Sequence, residues 1–307
     1  MDTSPFHADE VAAQARAGHV LGAIGAIRPV MPDQHRDFFA GLSYLFVGGT
    51  DAAGAPVATM LTGSPGFVHA PDPGHLRVEA RPSPGDPAAS HLQAGAEVGI
   101  LGLDLATRRR NRANGRIVGH DAGGFTLAVD QSFGNCPQYI QRRTIAPMPR
   151  EAGQTEILSG LDPEARGLIA AADTLFVASR ARAGIGPAGG ADISHRGGRP
   201  GFVRVAGDTL TVPDFRGNRY FNTLGNLLGE PRAALLLVDF ERGDLLSLQG
   251  TTEIDWTGTE AAGFEGAQRS WRFHVAGGWR RRGAVPFRWR FLDAAPQLER
   301  TGRWEAA

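Results

Sequence analysis

The sequence of 307 residues holds a single cysteine, Cys136, which excludes an internal disulfide and favours a reducing compartment. No apolar run approaches the roughly 18 residues that cross a bilayer. The first ten residues, MDTSPFHADE, carry neither a basic stretch nor an apolar core. A soluble cytoplasmic protein without a membrane partner is expected. An excess of either charge is also lacking: Lys+Arg and Asp+Glu stand at 32 each, so no global field favours nucleic acid. Catalytic signatures are missing as well. There is no GxSxG, no Walker loop, no HExxH and no GxGxxG leading into a helix. The nine histidines show no two-His spacing beside carboxylates, so no metal site is expected.

What the sequence does have is turns and an internal echo. Its 42 glycines and 20 prolines make about a fifth of the chain, which suits short strands joined by many turns. Gly63-Ser64-Pro65-Gly66-Phe67-Val68 recurs as Gly198-Arg199-Pro200-Gly201-Phe202-Val203, a step of 135 from position 63 to position 198. Ile100 to Asp104 matches Leu235 to Asp239, and Asn114-Gly115 matches Gln249-Gly250, with the same step. Leu45-Phe46-Val47 matches Leu175-Phe176-Val177 with a step of 130. Two copies of one β unit explain this most economically, with residues 1–150 as the first domain and 151–307 as the second.

Taken in order, Ala8 to Ala17 reads as a short helix with acids early and Arg16 late. Pro32 to Leu42 reads as another, with Phe38, Phe39 and Leu42 on its apolar side. Strands follow at Tyr44 to Val47, Val57 to Leu61, Phe67-Val68, Leu76 to Val78, Val98 to Leu105 and Thr107 to Val118. Strand follows strand with no helix between, which disfavours a parallel sheet. Another strand covers Ala122 to Val129. Asn135-Cys136-Pro137 then predicts a helix N-terminus, with Pro137 where its missing N–H costs nothing. Cys136 reads either as structural or as a reactive thiol near arginines. Thr144 to Ser159 reads as a linker and Asp162 to Ala172 as the entry helix of the second copy. Strands at Leu235 to Phe240, Leu245 to Glu253, Trp271 to Val275 and Gly283 to Arg290 complete it.

The densest polar pattern runs from Ile193 to Asn226. Ser194 and Arg196 sit two apart and share one face of an extended segment. Gly207-Asp208 signals a hairpin. Beyond Pro213, Arg216-Gly217-Asn218-Arg219 sets two guanidiniums around a glycine, and Asn222, Thr223 and Asn226 offer donors in the first turn of a helix. The stretch reads either as a phosphate-gripping hairpin or as a solvated turn with a helix cap. Upstream, Arg108, Arg110, Arg112 and Asn114 alternate with Arg109, Asn111 and Ala113, so both faces of a strand there display guanidiniums. Burying them unpaired is costly. Either this strand is a charged sheet edge, or the two copies pack face to face and it reaches a ligand held by the second.

These motifs carry a family resemblance. ISHRGGRPGFV, followed by PDFRGNRYFNTLGN and PRAALLLVDF, resembles the pyridoxamine 5'-phosphate oxidase-like FMN-binding split barrels. LTGSPGFV, RPSPGDP, TRRRNRANGRI and SFGNCPQYIQRR resemble the N-terminal part of a bidomain subgroup, so the likeness spans nearly the whole chain. It implies a mainly β fold of two tandem six-stranded antiparallel split barrels. It also implies an intramolecular pseudo-dimer, with a homodimer as a further option, and FMN bound between barrels. Carried over residue by residue, the resemblance assigns phosphate and ribityl binding to Ser194, Arg196, Arg216, Asn218, Thr223 and Asn226, with Gln249 as a polar contact. Arg110, Arg112 and Asn114 would approach the isoalloxazine or the substrate. The chain departs from the oxidase proper, since no substrate-gripping set for pyridoxal phosphate can be matched. In the first copy Pro84-Gly85-Asp86-Pro87 stands in place of Arg216-Gly217-Asn218-Arg219, and Leu61 in place of Arg196; Thr59 keeps a hydroxyl opposite Ser194. One competent flavin site per chain is therefore expected. The implied activity is that of an FMN-dependent oxidoreductase with a small-molecule substrate or electron donor; the alternative is a flavin- or haem-binding carrier or sensor without turnover.

Overall fold

A computed structural model describes residues 4–22, 25–83, 85–151, 153–186 and 188–304. Antiparallel strands dominate. Asp51 starts the meander by accepting from the N–H groups of Ala53 and Ala55, closing the turn between β1 (Tyr44–Thr50) and β2 (Pro56–Thr62). Then come β3 (Val68–Asp72), β4 (His75–Val78), β5 (Glu97–Asp104), β6 (Arg109–Asp121) and β7 (Gly124–Gly134). They form one sheet in the order β2-β1-β5-β6-β7-β4-β3. After β8 (Arg142–Pro147) and β9 (Thr155–Leu158), a second sheet is built from β10 (Thr174–Arg180), β11 (Ala191–Gly197), β12 (Arg204–Ala206), β13 (Thr209–Phe215), β14 (Arg232–Val238), β15 (Leu245–Asp255) and β16 (Ala267–Arg281). Its order is β11-β10-β14-β15-β16-β13-β12, the first order strand for strand.

Register follows the same correspondence. Val47 lies opposite Thr59 as Val177 lies opposite Ser194, and Gly99 lies opposite Asn114 as Ala234 lies opposite Gln249. The main path of each sheet has seven strands, one more than the six expected, and β9 pairs additionally with β16. Four helices accompany the sheets among the described residues: α1 (Ala8–Arg16), α2 (Asp33–Ala40), α3 (Pro163–Ala171) and α4 (Asn222–Gly229). Asp162 caps α3 through the N–H of Ala165, with Pro163 in the first turn. α1 packs on α4, and Gln14 donates from its amide to the Tyr220 carbonyl at 3.0 Å.

Two expectations do not hold. The residues from Asn135 to Gln141 form turns rather than a helix. Tyr139 sits at φ 63°, and the Gln141 amide donates to the carbonyls of Tyr139 and Asp173. A left-handed residue held by such bonds breaks a helix at its first turn. The supposed linker Thr144 to Ser159 contains most of β8, which pairs with β17 (Phe287–Asp293), and all of β9.

Apolar side chains form one core per sheet and a third between the sheets. In that third core Phe46 and Phe176, at equivalent positions of β1 and β10, stack at 3.7 Å and 20°. The approach is close enough to require glycine at one point: a Cβ on Gly99 would lie 2.7 Å from Asp192 Cα and 2.8 Å from the Ala191 carbonyl oxygen. Backbone cannot yield there without parting the sheets. Gly99→Ala is therefore expected to cost about 1–3 kcal/mol, read as a lowered denaturant midpoint.

Candidate functional site

A cleft opens where β6 of the first sheet meets β11, β13 and α4 of the second. Arg110 and Arg112 lie two apart on β6, so both project the same way. Arg112 is buried. Its Nε donates to the Ile193 carbonyl at 3.1 Å, and its Nη1 lies 3.2 Å from an Asp192 carboxylate oxygen and donates to Asn222 Oδ1 at 3.3 Å. Its Nη2 donates to Ser194 Oγ. Arg110 differs in having no carboxylate partner among the described residues. It donates to the Cys136 carbonyl at 2.8 Å and to His195 Nδ1 at 3.3 Å. Burial, with Arg112 and Arg196 nearby, pulls its pKa down to about 9.

On the opposite wall Asp214 pairs with Arg196 at 3.3 Å and with buried Arg269 at 3.0 Å. Four guanidiniums, of Arg110, Arg112, Arg196 and Arg269, thus share two carboxylates, of Asp192 and Asp214. Two positive charges are left over. Glu10 on α1 does not cancel them, because burial raises its pKa to about 8. Several polar atoms also lack partners here: Arg196 Nε, His195 Nε2 and Asn135 Oδ1 are buried and unbonded. His195 accepts from Arg110 at Nδ1, so neutral His195 carries its proton on Nε2 as a spare donor. Burial and the neighbouring arginines hold its pKa well below the usual histidine value. The first turn of α4, from Asn222 to Leu224, lines the same space and has no side-chain cap.

Backbone strain collects at this place. Tyr139, Arg219 and Phe221 all have φ between 61° and 66°, and all line the cleft. Tyr139 stacks on Phe215 at 5.0 Å and 26°, giving the mouth an aromatic wall.

Six of the ten residues singled out from sequence line the cleft: Arg110, Arg112, Ser194, Arg196, Asn218 and Thr223. The Ser194 hydroxyl is already engaged, donating to Asp192 at 3.1 Å and lying 2.6 Å from Thr223 Oγ1. It holds the wall together rather than offering a free proton. Asn114 sits one step along β6 and steadies Asp192 at 3.1 Å. Asn226 lies beneath, accepting from His7 Nε2 at 2.9 Å and donating to Ser179 Oγ at 3.1 Å, so it fastens α1 to α4. Arg216 is exposed, and its carbonyl accepts from the Tyr139 hydroxyl at 3.1 Å. Gln249 does not line the cleft. It donates to Asp51 at 3.2 Å and to the Pro56 carbonyl at 2.9 Å, at the place that mirrors Asn114 in the other sheet.

His195, Arg269, Tyr139 and Asp214 were not anticipated, whereas Asn222, expected as a donor in the first turn of a helix, does line the cleft. For the arginine a compositional signal existed: the sequence contains no lysine, so every basic side chain apart from the histidines is a guanidinium able to bind in two-pronged fashion.

The mirrored place is closed from within. Asp86, 4 % exposed, accepts from the Thr59 hydroxyl and pairs with the buried Arg281, while its other oxygen accepts from the Ala88 N–H at 2.9 Å. Thr59 is the register mate of Ser194. A carboxylate of the chain itself stands beside that hydroxyl. Pro84, read with this turn, lies outside the described residues.

Glu10 makes the site's back wall sensitive to pH. It accepts from the His7 N–H at 3.0 Å and from the Asn222 amide at 2.5 Å. The folded protein keeps the proton on Glu10 up to about 8, while the unfolded chain releases it near 4.5. Between those values the folded state binds more protons, so stability falls as pH rises through the window. Glu10→Gln is expected to flatten that decline, measured as thermal midpoints from pH 5 to 9.

No family model and no curated protein matches the chain. Among solved structures, HupZ of Group A Streptococcus is 19% identical over 38% of this chain and 89% of its own, with a TM-score of 0.28. An FAD-binding protein of Mesorhizobium loti is 12% identical over 42% of this chain and 97% of its own, with a TM-score of 0.28. A candidate 5-nitroimidazole antibiotic resistance protein of Bacteroides thetaiotaomicron is 12% identical over 45% and 92%, with a TM-score of 0.29. At such identities and scores these likenesses carry no argument about this chain.

Proposed function

We propose that the chain binds one FMN through its phosphate in this cleft, as a tandem split-barrel flavoprotein whose two units, 1–150 and 151–307, are copies of each other. The observation that carries the reading is the surplus of two guanidinium charges around unpartnered buried donors. A phosphate monoester brings roughly −1.5 to −2 charges and three acceptor oxygens. The donor set fits such a group. The cleft's volume, about 110 Å³, is below the ~300–1,000 Å³ of whole-ligand pockets, so it suits the phosphate, with the remainder of a nucleotide outside it. Arg110, Arg196 and Arg269 would hold the phosphate, His195 would donate through Nε2, and Tyr139 with Phe215 would wall the larger group.

FMN, when bound, would supply electron transfer, and the protein would supply binding and charge. The lining offers little else. Asp214 is paired twice, and His195 is held neutral. Neither of these lining groups exchanges a proton near neutral pH, which favours an oxidoreductase dependent on its flavin, or a carrier without turnover. The resemblance seen in the sequence favours FMN over other phosphate esters.

Titration of purified protein with FMN, followed by the shift in flavin absorbance, tests the proposal. One equivalent is expected to saturate the chain, and Arg196→Ala with Arg216→Ala is expected to weaken binding mainly through position 196. Absence of any shift, or a Soret band instead of flavin maxima in the protein's visible spectrum, would remove the flavin reading. Reduction of the bound flavin by NADH or NADPH separates oxidoreductase from carrier.

A further inference from the structure

We propose that occupancy of the cleft by an anion is coupled to a proton on Glu10, so that affinity for the anion drops when that proton leaves. The inference rests on the reading of the cleft as an anion site and adds what governs its occupancy. Glu10 does not line the cleft itself. It is joined to it through Asn222, whose side-chain amide donates to Glu10 Oε1 at 2.5 Å while its Oδ1 accepts from Arg112 Nη1 at 3.3 Å. Asn222 and Arg112 both line the cleft. The approach of α1 to α4 is tight: a Cβ on Gly225 would lie 2.6 Å from Glu10 Cα.

Glu10 is 3 % exposed, and both of its acceptor bonds come from uncharged donors, the Asn222 amide and the His7 N–H. An ionised carboxyl is costly in such surroundings, and the group holds its proton up to about 8. The charges around it do not change this. On α1 the His7 ring lies 3.8 Å away, but burial lowers its pKa from the usual histidine value, so it is neutral here. Asp9 is paired with Arg182 at 2.8 Å. On β11 Asp192 opposes ionisation, and on β6 Arg112, which favours it, is already paired with Asp192 at 3.2 Å. An anion settling among Arg110, Arg196 and Arg269 cancels positive potential that an ionised Glu10 would draw on, so Glu10 keeps its proton to higher pH. Linkage fixes the converse: loss of that proton weakens anion binding by the same factor. Binding therefore takes up a proton, and affinity falls as pH rises through about 8. Arg110, whose pKa burial pulls down to about 9, loses charge over a partly shared range and has to be separated from Glu10.

Calorimetric titration with sulfate, which stays a dianion throughout, tests this at pH 6.5 and pH 9. With a coupling of about fivefold or more, the parent's affinity is expected to fall about threefold or more between the two. Glu10→Gln, uncharged like the protonated acid, is expected to bind as the parent does at pH 6.5 and to decline less; the decline that remains belongs to Arg110. Infrared difference spectra of the parent at pH 8.5 read the carboxyl directly. Adding sulfate is expected to raise the carbonyl band of a protonated carboxylic acid, which an arginine cannot produce. An equal decline in parent and Glu10→Gln, no gain in that band, or weaker binding by Glu10→Gln already at pH 6.5 would each overturn the coupling while leaving the cleft an anion site. A parent that binds no sulfate at either pH would overturn the coupling together with the reading of the cleft on which it rests.

Discussion

Arg112→Met is expected to destabilise the protein by about 3–5 kcal/mol, whereas Arg110→Met, two residues away, is expected to leave stability unchanged or slightly raised. Both are expected to weaken phosphate binding at least tenfold. The contrast follows from their partners. Removing the Arg112 guanidinium leaves Asp192 buried without its ion pair and takes donors from Ile193, Ser194 and Asn222. Removing the Arg110 guanidinium strands no carboxylate and relieves repulsion among Arg110, Arg112 and Arg196. Denaturant unfolding and phosphate titration of the two variants, done side by side, separate structure from binding. Equal loss of stability in both would mean that Arg110 is a structural residue and that the cleft holds no spare charge.

Asp86→Ala is expected to lose about 3–5 kcal/mol and, unlike the parent, to recover much of it in phosphate buffer. Arg281 is 4 % exposed and has Asp86 as its ion-pair partner, so the variant leaves a guanidinium buried beside the freed Thr59 hydroxyl. Deleting the carboxylate also opens room for an anion there. Binding to the native state alone adds RT ln(1 + [L]/Kd), about 2.7 kcal/mol at a hundredfold excess over Kd. The readout is the rise in Tm on replacing chloride by phosphate, larger in the variant than in the parent. A rise no larger in the variant than in the parent would show that Asp86 does not stand in for a bound anion.

Much of this was legible in the sequence, for reasons that differ by residue. The turn Gly198 to Val203 and its earlier counterpart are local patterns, and local patterns fixed the hairpins and the entry helices. Alternation along β6 showed that its arginines needed partners. It could not show which, because Arg112 meets Asp192 from 80 positions away in the chain and Arg108 meets Asp293 from 185. The turn Pro84 to Pro87, standing where the second copy has Arg216 to Arg219, pointed to a single competent site, and the structure adds what Asp86 does there: its charge is spent on Arg281, 195 residues on. Gln249 shows how a correct correspondence can mislead. Its match to Asn114 holds in register, but equivalent positions lie at opposite places in the paired sheets, so only Asn114 reaches Asp192. The helix expected at Asn135 to Pro137 had every local signal and lost to tertiary bonds at Tyr139 and Gln141. Arg269 had no local signal, since its value comes from facing Asp214 across β13 and β16.

The most direct measurement is a crystal structure of the protein grown with FMN. Phosphate density within hydrogen-bonding distance of Arg110, Arg196 and His195, with none beside Asp86, is the predicted result. Phosphate density at Asp86, or density for FMN in neither place under saturating nucleotide, would contradict the account.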